Sequence, residues 1–293
     1  MEIFNLPQDI IADRNGKNDR IIFHPYSAES GSIKGKSILH TNAISLVISG
    51  EKTMQFANRT LHIKSDDIHF ISAGNCLASI NLSGKGVFRS ILIFFDNKVL
   101  SDFYVKYAML ISAMKTRRKI IGQPFVSFRK DPFINGFITS LELMFQNNQK
   151  VSIEMRSLKF EELMLHLLEK YPGSLLSFEC SERKDLNDLE IKKVVESNIT
   201  NNITVEELAF LCNISVSTFK RRFADIYFTS PNKWILQKRI ELAKHLLQHY
   251  HEKPGEVYHK VGYENHSSFS QSFKQIVGIS PREFQLQKLN VLQ

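Results

Sequence analysis

Hydrophobic and polar positions change rhythm along this chain. Between residues 21 and 95 the apolar residues come in short runs: LVISG (46–50), TMQFA (53–57), TLHI (60–63), IHFIS (68–72) and FRSILIFF (88–95). β-Branched and aromatic residues dominate them. Turn chemistry separates them at Gly50-Glu51, Asn58-Arg59, Ser65-Asp66-Asp67, Gly74-Asn75 and Ser83-Gly84. This spacing predicts short antiparallel strands in a sandwich or small barrel. From Lys98 the period lengthens to that of a helix. Residues 99–114, 132–148 and 152–173 each carry an apolar stripe, the last through Leu158, Phe160, Leu163, Leu167 and Leu168 before a stop at Pro172-Gly173. Two adjacent amphipathic helices of this kind can cover a barrel or pair with a second subunit.

Residues 173–187, GSLLSFECSERKDLN, mix Gly, Ser and charge and read as a linker. Helical patterning with frequent stops follows. The predicted organisation is therefore a β-then-helical domain over 1–172, a linker over 173–187 and an all-helical domain over 188–293.

One phrase occurs twice in the helical part. STFKRRF (217–223) and SSFSQSF (267–273) lie 50 positions apart. Phe219 and Phe223 are four residues apart, as are Phe269 and Phe273, so each pair shares one helix face. Upstream, Thr204 and Glu207 form a Thr-x-x-Glu capping box. Ser215 or Ser217 then starts a second helix. A helix-turn-helix unit has this form. Its exposed front carries Ser217, Lys220 and Arg221, with Arg222 at the flank. The second copy presents His266, Ser268, Ser270, Gln271 and Lys274. Basic and hydroxyl side chains opposite an apolar anchor suit contacts to phosphates and base edges. Between the copies, PNKWILQKRIELAKHLLQ (231–248) reads as a helix of roughly 25 Å with Pro231 at its first position.

Composition adds little to this. The 293 residues carry a formal charge of +8, but fourteen basic and twelve acidic residues follow residue 184, so the charge is not concentrated beside the repeat. Three scattered cysteines make neither a disulfide framework nor a zinc site. The N-terminus does not read as a secretory signal, and ILIFF (91–95) is too short to span a bilayer. A cytoplasmic chain is expected. The run KTRRK (115–119) reads as a solvated turn.

The string STFKRRF…TSP…W…KRIELAKHLL…VGYENHSSFSQSFKQIVGISPREF resembles the DNA-binding domain of AraC/XylS-type transcription regulators over about residues 186–288. The resemblance implies seven helices with two helix-turn-helix units. The second helix of each unit enters the major groove of double-stranded DNA. The contacts it implies are Val216, Ser217, Thr218, Lys220 and Arg221 in the first unit, and His266, Ser268, Ser270, Gln271 and Lys274 in the second. The chain departs from the family pattern at Phe228, where the family has Gly, and at Pro254 and Tyr258, where it has Ile and Ala. The N-terminal part is similar to a cupin-like barrel followed by helices. LKFEELMLHLL (158–168) resembles ExsA-like members, in which this region serves self-association and binds a regulatory protein.

The expected fold is thus α+β: a cupin-like β-barrel or sandwich with following helices, then an all-α domain with two helix-turn-helix units. The expected function is promoter-binding regulation, as an activator with RNA polymerase as a partner. A homodimer through helices 132–170 is expected, with control by a small ligand or a regulatory protein. The alternative is a cupin-like enzyme or ligand-binding protein with a DNA-binding tail. Against it, His24, His40, His62 and His69 never form His-x-His, and no G-x-S-x-G, H-E-x-x-H or phosphate loop occurs. No cofactor, metal or catalytic residue is expected.

Overall fold

The computed structural model describes residues 3–11, 19–28, 33–57, 59–81, 87–114, 125–146, 151–178, 187–249 and 252–290. Asn58, the Ser83-Gly84 turn, the KTRRK run, Cys180 and most of the expected linker (179–186) lie outside them. The chain divides into two compact units, residues 1–56 with 60–183, and residues 184–293 with 57–59.

The first unit contains strands β1 (Ile3–Leu6), β2 (Ile21–Ala28), β3 (Ile33–Leu39), β4 (Asn42–Ser49), β5 (Glu51–Gln55), β6 (Thr60–Ile63), β7 (Asp67–Ile71), β8 (Gly74–Asn81), β9 (Phe88–Phe95) and β10 (Phe125–Arg129). Its helices are α1 (Asn97–Lys106), α2 (Ala108–Ala113), α3 (Pro132–Gln146), α4 (Ile153–Lys170) and the single turn α5 (Pro172–Leu175). One sheet has the order β1-β3-β8-β5-β6 and the other β10-β7-β4-β9-β2. Among the described residues the pairings are antiparallel except β1 with β3.

The second sheet is buried on both faces. Ala43 and Val47 of β4 face the first sheet, packing with Met54, Ile63, Cys76 and Ala78. Ile44 and Leu46 face the helices, packing with Phe103, Phe137, Phe160 and Leu167. Double burial makes β4 a nearly continuous apolar run rather than an alternating one. Asp131 joins two of the helices behind it. Its Oδ1 accepts from the Ile134 amide at 2.8 Å, capping α3, and its Oδ2 accepts from His166 Nε2 at 2.8 Å and Lys170 Nζ at 2.6 Å on α4. Burial pushes this carboxyl up, but Lys170, the Ile134 amide and His166 outweigh it and hold it at about 2.

Three local expectations are corrected. Gly74-Asn75 is not a turn: it opens β8, which pairs with both β3 and β5. The helix expected over 99–114 breaks at Tyr107, whose φ of −106° and ψ of 23° leave the helical well. Pro172-Gly173 does not follow the helix as a bare stop. α4 ends at Lys170, and Pro172 starts another helical turn, where its missing N–H costs nothing.

The second unit is helical among its described residues: α6 (Asp188–Ser197), α7 (Val205–Leu211), α8 (Val216–Tyr227), α9 (Pro231–His249), α10 (Pro254–Lys260), α11 (His266–Val277) and α12 (Pro281–Asn290). Pro254 occupies the first turn of α10 and distorts nothing there. Tyr258 is half-buried, its ring edge-on to His259 and His266.

Candidate nucleic-acid interface

The 50-residue repeat persists in three dimensions. Ser215 caps α8 by accepting from the Thr218 amide, and Asn265 caps α11 by accepting from the Ser268 amide. Phe228 and Gly278 end the same two helices, both in the left-handed region. Pro231 and Pro281 begin the helices that follow. Thr204 and Glu207 form the capping box of α7 with both reciprocal bonds present.

Phe219, Phe223, Phe269 and Phe273 are fully buried. Each i, i+4 pair therefore fixes which side of its helix faces out. On α8, Ser217, Lys220 and Arg221 are exposed, while Val216 and Thr218 are half-buried. The Thr218 hydroxyl accepts from Ser215 Oγ at 2.8 Å, and Ser217 Oγ lies 3.0 Å from the same atom. Arg221 lies 3.9 Å from Asp225 one turn on, a loose exposed pair. On α11, His266, Ser268, Gln271 and Lys274 are exposed and Ser270 is half-buried. Ser270 Oγ and His266 Nδ1 are 3.5 Å apart. Of the ten residues read from the sequence, seven are thus exposed on α8 and α11, and Val216, Thr218 and Ser270 are half-buried.

Arg222 is engaged elsewhere. It donates from Nε to Asp188 at the start of α6 at 2.7 Å, with Nη2 at 2.6 Å from the same oxygen, bracing α8 against α6. α8 is further held on α9 through Trp234, whose ring centre is 4.4 Å from that of Tyr227.

Two residues not anticipated as functional hold the two helix-turn-helix units in register. Arg239 of α9 donates to the carbonyls of Ile199 at 2.7 Å and Asn201 at 2.8 Å, both ahead of α7. Its guanidinium also lies 5.7 Å from the Tyr263 ring centre, in the α10–α11 turn. Gly262 in that turn has φ +84°, and a Cβ there would fall 2.7 Å from the Thr200 carbonyl oxygen. Asn202 hydrogen-bonds Glu264 across the same seam. An Arg in an amphipathic helix reads as solvated, and Gly262 as a stop, so pattern alone does not reveal this joint. A cleft of about 410 Å³, lined by Glu206, Lys220, Asn232, Arg239 and Tyr263 among others, opens beside it.

A family model for the ExsA N-terminal regulatory domain matches residues 42–178, and one for a helix-turn-helix domain matches residues 208–287. The virulence regulon transcriptional activator VirF of Yersinia enterocolitica is 22% identical over 244 residues, 83% of this chain and 89% of VirF. The HTH-type transcriptional regulator ExsA of Pseudomonas aeruginosa is 22% identical over 237 residues, 80% of this chain and 83% of ExsA. Among solved structures, ToxT from Vibrio cholerae aligns over 91% of this chain and 98% of its own at 15% identity, with a TM-score of 0.39. Among the described residues, no helix is long and apolar enough to cross a membrane. The chain thus carries an ExsA-type N-terminal regulatory domain followed by an AraC-type helix-turn-helix domain, the two parts found in AraC-type transcription regulators.

Proposed function

We propose that this regulator activates transcription by seating α8 and α11 in successive major grooves on one side of promoter DNA. The observation that carries this reading is the matched pair of helices, each anchored by two buried Phe residues and each presenting a polar front. Lys220 and Arg221 contact phosphate or guanine, and Val216, Ser217 and Thr218 line the adjoining turn of α8. His266, Ser268, Ser270, Gln271 and Lys274 do the same work on α11 with less charge. Successive major grooves on one face repeat about every 34 Å, so the recognised sequence has two blocks about 10 base pairs apart.

RNA polymerase is the partner of the bound protein, and the reaction takes place on cytoplasmic DNA. The N-terminal unit supplies self-association and receives the signal. Exposed apolar residues on α3 and α4 support pairing of two copies there: Leu143 is 56% exposed, Ile153 60% and Leu158 62%. Selection from a random duplex pool tests the DNA reading. Two conserved blocks at one-turn spacing are expected, and enrichment of a single short block would contradict two-helix docking.

A further inference from the structure

Arg222 stands between the two sides of α8. At about 100° per residue it lies between Arg221 on the exposed front and the buried Phe223. Its side chain is 20% exposed, and its guanidinium is drawn to α6 rather than to the front. Nε donates to Asp188 Oδ1 at 2.7 Å, and Nη2 lies 2.6 Å from the same atom. The two nitrogens converge on one oxygen instead of spanning the carboxylate in the parallel arrangement that is strongest.

The acid that holds Arg222 sits on the loosest turn of α6. Asn187, Asp188, Leu189 and Glu190 are all exposed. Among the described residues, the one side-chain bond from this turn to the rest of the unit is that of Asp188 to Arg222. Farther along, Ile191, Val194 and Val195 are buried, and Glu196 accepts from the Tyr227 hydroxyl at 3.4 Å. The body of the helix therefore stays packed when its first turn opens. Asp188 loses little on release. It is 65% exposed, so water takes over its charge, and the N-terminus of α6 favours an anion at this position. The chain reaches this turn through residues 179–186, which join it in sequence to the regulatory unit.

We propose that Arg222 is a further DNA contact, to a backbone phosphate, and that Asp188 is the brake that withholds it. This rests on the reading of α8 as a recognition helix. One guanidinium fork suits a carboxylate and a phosphate alike, so the two anions compete for it. Phosphates that meet Lys220 and Arg221 run beside α8, and a guanidinium swung off Asp188 joins the same backbone. Opening the first turn of α6 thus adds a cation to the DNA-facing side without rebuilding the helix-turn-helix unit. A phosphate contact carries no base information, so release strengthens binding to every sequence alike.

The test is a double-mutant cycle in the full chain: wild type, Asp188→Asn, Arg222→Gln and the double variant. Affinity is followed across a salt series on a selected duplex and on a random-sequence duplex, and Tm is measured to establish folding. Asp188→Asn should tighten both duplexes by about three- to tenfold at low salt and steepen the slope of log K against log salt by about 0.9. Arg222→Gln alone should leave the wild-type slope unchanged. In the double variant the gain from Asp188→Asn should vanish. An unchanged slope in Asp188→Asn, weaker binding by that variant, or an equal gain with and without Arg222 would overturn the proposal; the last would mean that loss of the acid acts by itself. A slope flattened by Arg222→Gln alone would also overturn it, because Arg222 would then already lie on phosphate in the wild type. Any of these results with wild-type duplex binding intact leaves the DNA reading standing, whereas a wild type that ignores both duplexes removes that reading and the brake with it.

Discussion

Arg239 and Gly262 meet at the seam between the two helix-turn-helix units. A Cβ added at Gly262 would lie 3.0 Å from the Arg239 guanidinium carbon and 2.7 Å from the Thr200 carbonyl oxygen. This close approach joins the segment entering the first helix-turn-helix unit to the turn inside the second. The spacing of α8 and α11 is therefore set by more than the connecting α9.

Gly262→Ala should disturb that spacing. Its φ of +84° costs a non-glycine residue about 1–2 kcal/mol, and the clash with a backbone oxygen cannot be relieved by a rotamer change. Arg239→Lys should produce a milder version, because a single ammonium cannot reproduce the planar fork that bonds two carbonyls beside Tyr263. Both variants should lose more affinity for a two-block duplex than for a duplex carrying one block. Equal losses on the two duplexes would show that the joint supports stability alone.

Phe228→Gly should stabilise the chain. Phe228 has φ 54°, sits at the C-cap of α8 and is 91% exposed, so its ring buries almost nothing. Gly adopts this conformation without the Cβ penalty, although it also loosens the unfolded chain. A net gain of about 0.5–1 kcal/mol is expected, read as a higher Tm with unchanged duplex affinity. A lower Tm would mean that the ring contributes to the folded state.

His69 should make the N-terminal unit acid-sensitive. It is buried on β7, with Nδ1 2.8 Å from Ser127 Oγ on β10. Burial is the main reason its proton affinity falls to about 4, with Lys130 adding to the fall and Asp67 opposing it. Unfolded histidine titrates near pH 6.5. Between about 6.5 and about 4 the unfolded state binds more protons, so stability is full above this window and declines through it as pH falls. The limiting loss is about 3 kcal/mol. Comparing Tm across this window for the wild type and His69→Gln should show a shallower decline in the variant; identical slopes would contradict the assignment.

The second unit was the more legible part of the sequence because local signals determine it. Thr204 with Glu207, Ser215, Pro231 and the paired Phe residues specify caps and faces within a few positions, and the structure uses each of them. In the first unit pairing is non-local. β1, which pairs parallel to β3, and β10, which lies beyond α1 and α2, carry no turn signal that marks them as sheet members. Gly74 reads as a turn because Gly-Asn usually is one, yet it begins a strand paired on both sides. Arg239 is invisible in the pattern for a related reason: it is a cation whose significance comes from Ile199, Asn201 and Tyr263, all distant in sequence.

The most direct test of the DNA-binding account is the salt dependence of duplex affinity for three proteins: wild type, Lys220→Ala/Arg221→Ala, and Ser268→Ala/Lys274→Ala. Each phosphate contact contributes about 0.9 to the slope of log K against log salt. The α8 variant should lose affinity and flatten the slope by up to about 2, and the α11 variant by about 1. Three proteins with the same affinity and slope would contradict recognition through these helices, and a larger loss in the α11 variant would reverse their order.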